Sequence, residues 1–109
     1  MSDVVIGDNP DQSRYDAHVG TELAGIAAYQ LRPGVITFTH TEVDDAYEGE
    51  GIGGTLARYA LDDARRRGLA VEPRCPFIAS WIDRHPDYRD LVRSSQTSPS
   101  TGSTSGTNP

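Results

Sequence analysis

Apolar and polar residues alternate with a period of two in the first half of the chain. Residues 14–19 and residues 23–29 each show this alternation, and a β-branched apolar run follows at residues 35–41. A period of two is typical of half-buried strands, and Gly20-Thr21 and Pro33-Gly34 mark turns between the three stretches. Because these connections are short, the pattern predicts a three-stranded antiparallel meander.

The period becomes helical from Ile52 onward. Ile52, Leu56, Ala60 and Ala64 share one face of a predicted helix that ends at Gly68. Residues 69–71 predict a short strand, which should run parallel to the third strand because a helical crossover precedes it. Pro76 predicts the first position of a second helix, which Pro86 interrupts before a last helical turn.

The order β-β-β-α-β-α predicts an α/β fold with a mixed sheet, in which an antiparallel meander leads to a parallel strand pair. We assign the folded domain to residues 13–93. Residues 1–12 are polar and are interrupted by Gly7 and Pro10, so we expect a flexible arm. Residues 94–109 are rich in Ser and Thr and contain no charged or apolar side chain, which predicts a disordered tail. A domain this small favours homo-oligomerisation.

Charge and composition narrow the function classes. The 109 residues carry a net charge of −6, which disfavours a nucleic-acid partner. It favours a cationic substrate, or simply reflects solubility. All basic residues are Arg, which excludes Schiff-base lysine chemistry, and the single cysteine and scattered histidines do not form a zinc motif. No signal peptide or membrane-spanning run is evident, so we expect a cytoplasmic protein that makes no membrane contact.

A glycine-rich loop joins the third strand to the first helix. In a strand–loop–helix unit of this kind, backbone N–H groups converge on a phosphate at the helix N-terminus. The loop is flanked by acidic residues and has no basic residue among them: Glu42, Asp44, Asp45, Glu48 and Glu50. Backbone amides would therefore have to outweigh these charges. Alternatively, the carboxylates face a cationic substrate or only the solvent.

Two side chains at the predicted sheet edge could carry chemistry. Cys75 lies at the N-cap of the second helix beside Arg74, and both features favour a thiolate; the alternative is a small buried hydrophobic residue. His40 ends the third strand at the same edge, where it could act as a base or as a partner of Cys75, or could bond only to backbone. Glu42 is either a second base or an exposed carboxylate.

The segments HTEV at 40–43, GEGIGG at 49–54 and CPFI at 75–78 resemble the small single-domain GCN5-related N-acetyltransferase-like (GNAT) family over residues 14–92. The resemblance implies a truncated acetyltransferase fold, acetyl-coenzyme A as ligand, and acetyl transfer to an unidentified amine. It implies Cys75 and His40 as the catalytic pair. The implied cofactor-binding residues are Thr41, Glu42 and Val43 along the pantetheine arm, and Gly49, Glu50, Gly51, Ile52, Gly53, Gly54 and Thr55 at the pyrophosphate.

The chain departs from the superfamily pattern in two ways. Glu48 replaces the usual Gln or Arg before the glycines, and the segments that form an acceptor pocket in longer members are missing. The acetyl group could pass directly to the amine or through Cys75. A non-catalytic module that binds coenzyme A, or an interaction protein, is the alternative to an enzyme.

Overall fold

The computed structural model describes residues 4–92, which form one mixed five-stranded sheet with the strands in sequence order. The strands are β1 (Val4–Asn9), β2 (Arg14–Val19), β3 (Glu22–Arg32), β4 (Val35–Val43) and β5 (Ala70–Pro73). The first four strands pair antiparallel, and β5 pairs parallel to β4. The predicted mixed α/β fold, with a meander followed by a parallel pair, is confirmed.

Two helices cover one face of the sheet. Helix α1 (Ile52–Arg66) presents its apolar stripe to the strands and is followed by Gly68, whose φ of 70° allows the chain to turn away. Helix α2 (Pro76–Asp83) has Pro at its first position. Short 3-10 helices at Asp45–Tyr47 and Pro86–Leu91 complete the described elements.

Residues 4–9 form an edge strand and not the expected flexible arm. Val4 and Ile6 pair with β2 and pack against the core, while Val5 points to the opposite face. The arm prediction was wrong here because Gly7 is tolerated within an edge strand and Pro10 follows the strand instead of interrupting it. Residues 1–3 and the predicted tail at 94–109 lie outside the described residues.

A bulge in β3 corrects the predicted alternation at its start. The register shifts between Ala17 paired with Gly25 and His18 paired with Leu23, which leaves Ala24 as the extra residue. Ala24 is therefore buried, and Leu23 is exposed on the other face. The prediction that Leu23 and Gly25 share a face was wrong for this reason.

A second bulge, at Thr39 in β4, determines which side chains reach each face. Tyr29 pairs with Phe38 and Ala28 pairs with His40, so Thr39 is the extra residue. Phe38 belongs to the buried core under the helices, and the shifted register gives Thr41 the same side as Phe38. His40 and Glu42 consequently lie on what we call the open face, the side of the sheet opposite α1 and α2.

A buried polar network ties the far end of α1 to the sheet. The Tyr15 hydroxyl donates to Asp63, which also accepts from Arg66 and Arg67. Burial, followed by the bond to Asp63, raises the pKa of Tyr15 well above its usual range. The network fixes α1 on the sheet at the end distant from the glycine loop.

Candidate functional site

Strands β4 and β5 part at the end of their parallel ladder. Pairing stops at Phe38 and Pro73, and the Cys75 N–H donates the last bond to the Phe38 carbonyl over 2.9 Å. Beyond this point the chain enters α2, so residues 39–43 have no strand on their β5 side within residues 4–92. A strand edge of this kind offers backbone N–H and C=O groups to a ligand.

The glycine loop ends in an open helix N-terminus. Gly49 and Gly51 have φ values of 85° and 78°, a conformation that favours glycine. No side chain within residues 4–92 caps α1 at Gly51, and the first bonded amide is that of Thr55, which donates to the Gly51 carbonyl over 3.0 Å. The amides of Ile52, Gly53 and Gly54 are thus directed outward, as an anion requires.

The N-terminus of α2 lies beside that of α1. A Cβ atom on Gly53 would stand 2.8 Å from Cζ of Phe77, in the first turn of α2. Cys75, the N-cap of α2, makes no side-chain capping bond. An open cavity of about 250 Å³ lies against Val43, the glycine loop and Phe77. Two helix N-termini therefore bring partial positive charge to the same place.

The two predicted catalytic residues lie at the same sheet edge but on opposite faces of β4. Cys75 is 2% exposed, and its Sγ is 3.3 Å from the Thr41 hydroxyl oxygen. The His40 side chain is 54% exposed on the open face, where its Nε2 is 3.3 Å from Glu42 Oε2. The structure thus joins Cys75 to Thr41 and His40 to Glu42.

The other acidic residues near the loop have separate local roles. The Asp44 carboxylate accepts from the Ala46 amide over 2.9 Å and caps the first 3-10 helix. The side chains of Glu50 and Asp45 are exposed, while Glu48 lines the cavity. The Thr55 hydroxyl donates back to the Gly51 carbonyl over 3.0 Å, so its proton is already engaged.

The sequence analysis missed one residue of this site and one contact. Phe77 forms a wall of the cavity, and Thr41, predicted only as a cofactor-binding residue, is the hydrogen-bond partner of Cys75. The signal for Phe77 was present, since a glycine in the first turn of α1 allows an aromatic ring to pack closely. The partner of Cys75 depends on the Thr39 bulge, for which the sequence carries no clear signal.

Two features, a metal-binding cluster and a membrane-spanning helix, are absent from the described residues. Among residues 4–92, no group of three or more His, Cys, Asp or Glu side chains is arranged to hold a metal ion. Over the same residues, no helix has the length and apolar character needed to span a bilayer.

A parallel strand pair that parts beside a glycine-rich helix N-terminus defines an acetyltransferase-like fold. The family model described as "GCN5-related N-acetyl-transferase" matches residues 14–91. The chain therefore belongs to the GCN5-related N-acetyltransferase family, as the resemblance indicated. Membership supports acetyl transfer in general, and acetyl-coenzyme A is the usual cosubstrate of the family.

Curated relatives and solved structures agree with this assignment. The chain is 36% identical over 59 residues to Protein NATD1 of mouse and of human; the match covers 54% of this chain and 54% and 52% of those proteins. The chain thus spans about half the length of these relatives. A GCN5-like protein from Staphylococcus aureus shares the fold with a TM-score of 0.65 and 21% identity, over 85% of this chain and 91% of that one.

A second solved structure is similar over a smaller share of its length. The ribosomal-protein-alanine N-acetyltransferase of Brucella melitensis biovar Abortus has a TM-score of 0.50 and 19% identity, over 79% of this chain and 65% of that chain. At sequence identities of 21% and 19%, these two structures support the fold alone.

Proposed function

We propose that this protein transfers an acetyl group from acetyl-coenzyme A to an amine. The observation that carries the proposal is the edge of β4, which has no partner strand beyond Phe38 within the described residues, next to two helix N-termini that no described side chain caps. The helix N-termini suit a phosphorylated group, and the edge of β4 suits an extended chain of amides.

The residues present fit coenzyme A. The outward amides of Ile52, Gly53 and Gly54 would hold the diphosphate, helped by the two helix dipoles. The edge of β4 from Thr41 to Val43 would bind the pantetheine amides through its backbone groups. When bound, acetyl-coenzyme A supplies an acetyl group activated as a thioester.

His40 is suited to act as the base from the open face. Because Nε2 lies 3.3 Å from the Glu42 carboxylate, a neutral ring that carries its proton on Nε2 leaves Nδ1 as a proton acceptor. As the amine nitrogen bonds to the acyl carbon and the carbon–sulfur bond breaks, Nδ1 takes the amine proton and passes it to the departing sulfur. Glu42 orients the ring and stabilises the imidazolium.

Direct transfer fits the burial of Cys75 better than an acetyl-Cys75 intermediate. The thiol is 2% exposed and hydrogen-bonded to Thr41. It lines the helix side of the gap where β4 and β5 part, which we call the slot, and is not presented to an acyl group. Direct transfer requires only that the Cys75 side chain have a suitable size where it lines the slot. Cys75→Ser should therefore retain activity, whereas a covalent route would lose it.

The experiment is acetyl transfer to a panel of primary amines. We expect His40→Ala to lower kcat by about 10²–10³-fold, as loss of a general base does. His18→Ala is the matched control because His18 also lies on the open face, two strands away, and it should behave as wild type. Equal activity of the His40 and His18 variants would contradict the role of His40.

A module that binds coenzyme A without turnover is the second candidate. The exposure of His40 favours it, because an enclosed acceptor pocket around that residue would normally limit solvent access. Under this alternative, calorimetry would detect acetyl-coenzyme A binding, while no amine in the panel would be acetylated.

A further inference from the structure

The indole N–H of Trp81 is a buried donor that has no acceptor among the described residues. Trp81 is 4% exposed on α2, and its ring stacks on His85 at 3.7 Å and meets the edge of Tyr88 at 5.1 Å. Within residues 4–92, Nε1 makes no hydrogen bond. Since buried tryptophan N–H groups usually have a partner, this donor points to a ligand.

The Trp81 N–H faces the first turn of α1. A Cβ atom added to Gly54 would lie 3.5 Å from Trp81 Nε1, and no other described atom outside its two chain neighbours and the α1 backbone comes within 4 Å of it. The missing side chain of Gly54 therefore leaves a small open space beside the helix N-terminus. We call this space, bounded by Gly54, Trp81 and Arg58, the Gly54 notch.

Arg58 brings a positive charge to the same notch. Its guanidinium carbon lies 5.3 Å from the Trp81 ring centroid and 5.9 Å from that of Tyr88, and Nη1 donates to the Tyr88 hydroxyl over 3.3 Å. Its other N–H groups have no acceptor among the described residues. The nearby carboxylate of Asp62 is already bonded to Tyr88 at 2.7 Å. Arg58 is thus held by two rings with donors to spare.

We propose that the Gly54 notch binds a phosphate group of the nucleotide half of coenzyme A, through Trp81 Nε1–H and Arg58. The inference rests on the proposed function and extends it to side chains. A buried N–H, a guanidinium and a helix N-terminus are three features that each favour an anion. Arg58 also supplies the positive charge that the acidic glycine loop lacks.

Calorimetry with coenzyme A and with 3′-dephospho-coenzyme A tests the notch. Losing one hydrogen bond to a charged group should raise Kd roughly tenfold in Trp81→Phe, which keeps the ring, and in Arg58→Gln. Arg32→Gln, at the other end of the sheet, removes the same charge and should bind as wild type. A loss for both ligands would assign the notch to the diphosphate; a loss for coenzyme A alone would assign it to the 3′-phosphate.

Gly54→Ala provides an independent variant if the Trp81 change prevents folding. Its methyl group fits at ordinary contact distance but fills the notch, so affinity should fall while the melting temperature is kept or raised. If the wild type binds coenzyme A and all three notch variants bind it equally well, the notch is wrong and the proposed function stands. If the wild type binds neither ligand, both are wrong.

Discussion

At the scale of single residues, the clearest energetic feature is the Tyr15 hydroxyl buried against Asp63. Its pKa is raised first by burial and then by the hydrogen bond to the carboxylate. A group whose pKa is higher in the folded state stabilises the fold fully below its unfolded pKa, here about 10. That stabilisation is lost as the pH rises above this value, because the unfolded chain releases the proton and the folded chain does not.

We therefore expect alkaline conditions to destabilise the protein through Tyr15. Between about pH 10 and 12 the free energy of unfolding should fall by about 1.4 kcal/mol per pH unit from this group. Tyr15→Phe should be less stable than wild type by about 1–2 kcal/mol at pH 7 but should lose less stability above pH 10. Urea unfolding followed by Trp81 fluorescence measures both. Parallel pH profiles for the two proteins would contradict the assignment.

At the scale of elements, the bulge at Thr39 organises the site. It keeps His40 on the open face and Thr41 against Cys75, and it lies where β4 leaves β5. The sequence predicted His40, Cys75 and the glycine loop as site residues, because residue type and spacing carry that kind of information. The sequence did not predict which side chains of β4 lie on each face of the sheet, since a single extra residue reverses the alternation without a distinctive side chain.

The bulge at Thr39 has two effects: it sets the faces of His40 and Thr41, and it lies where β4 leaves β5. Deletion of Thr39 separates these two effects. Removing the extra residue leaves His40 and Thr41 on their present faces but makes the ladder regular, which lets β4 follow β5 further and narrows the slot. We expect the free energy of unfolding to stay within about 1 kcal/mol of wild type while coenzyme A affinity falls at least about tenfold. If a folded deletion variant kept its affinity for coenzyme A, this would contradict the proposal that coenzyme A binds in the slot.

The contact between the two helix N-termini can be tested by a double-mutant cycle. Ala normally stabilises a helix by about 1 kcal/mol over Gly, but a Cβ on Gly53 meets the Phe77 ring at 2.8 Å. Gly53→Ala should gain little or lose stability in wild type, yet stabilise a Phe77→Ala background by up to about 1 kcal/mol. Equal effects in both backgrounds, from chemical denaturation, would show that the ring does not pack there.

At the scale of the whole molecule, the fold begins earlier than the sequence suggested. The helical half was predictable from its period, and the meander from its turns, but β1 carries only two inward apolar residues, Val4 and Ile6, in a polar context. Such a short edge strand is stabilised by contacts with distant residues: Asp8 accepts from the Tyr29 hydroxyl over 2.6 Å. The local pattern of apolar and polar residues does not reveal those contacts.

Two neighbouring residues of β1 distinguish a strand from an arm. Ile6→Ala should lower the free energy of unfolding by about 1–2 kcal/mol, because Ile6 packs against the core. Val5→Ala, at a position 66% exposed on the open face, should change it by less than about 0.5 kcal/mol. Two small and equal effects in urea unfolding would mean that residues 4–9 contribute nothing to the fold.

The central claim is that acetyl-coenzyme A binds between the unpaired edge of β4 and the N-termini of α1 and α2. A titration of the ¹⁵N-labelled protein with acetyl-coenzyme A, followed by backbone amide chemical shifts, tests it most directly. We expect the largest shifts at Thr41, Val43 and Gly49–Gly54, and small shifts along β1 and β2. Shifts confined to the strands of the open face, or none at saturating ligand, would contradict the claim.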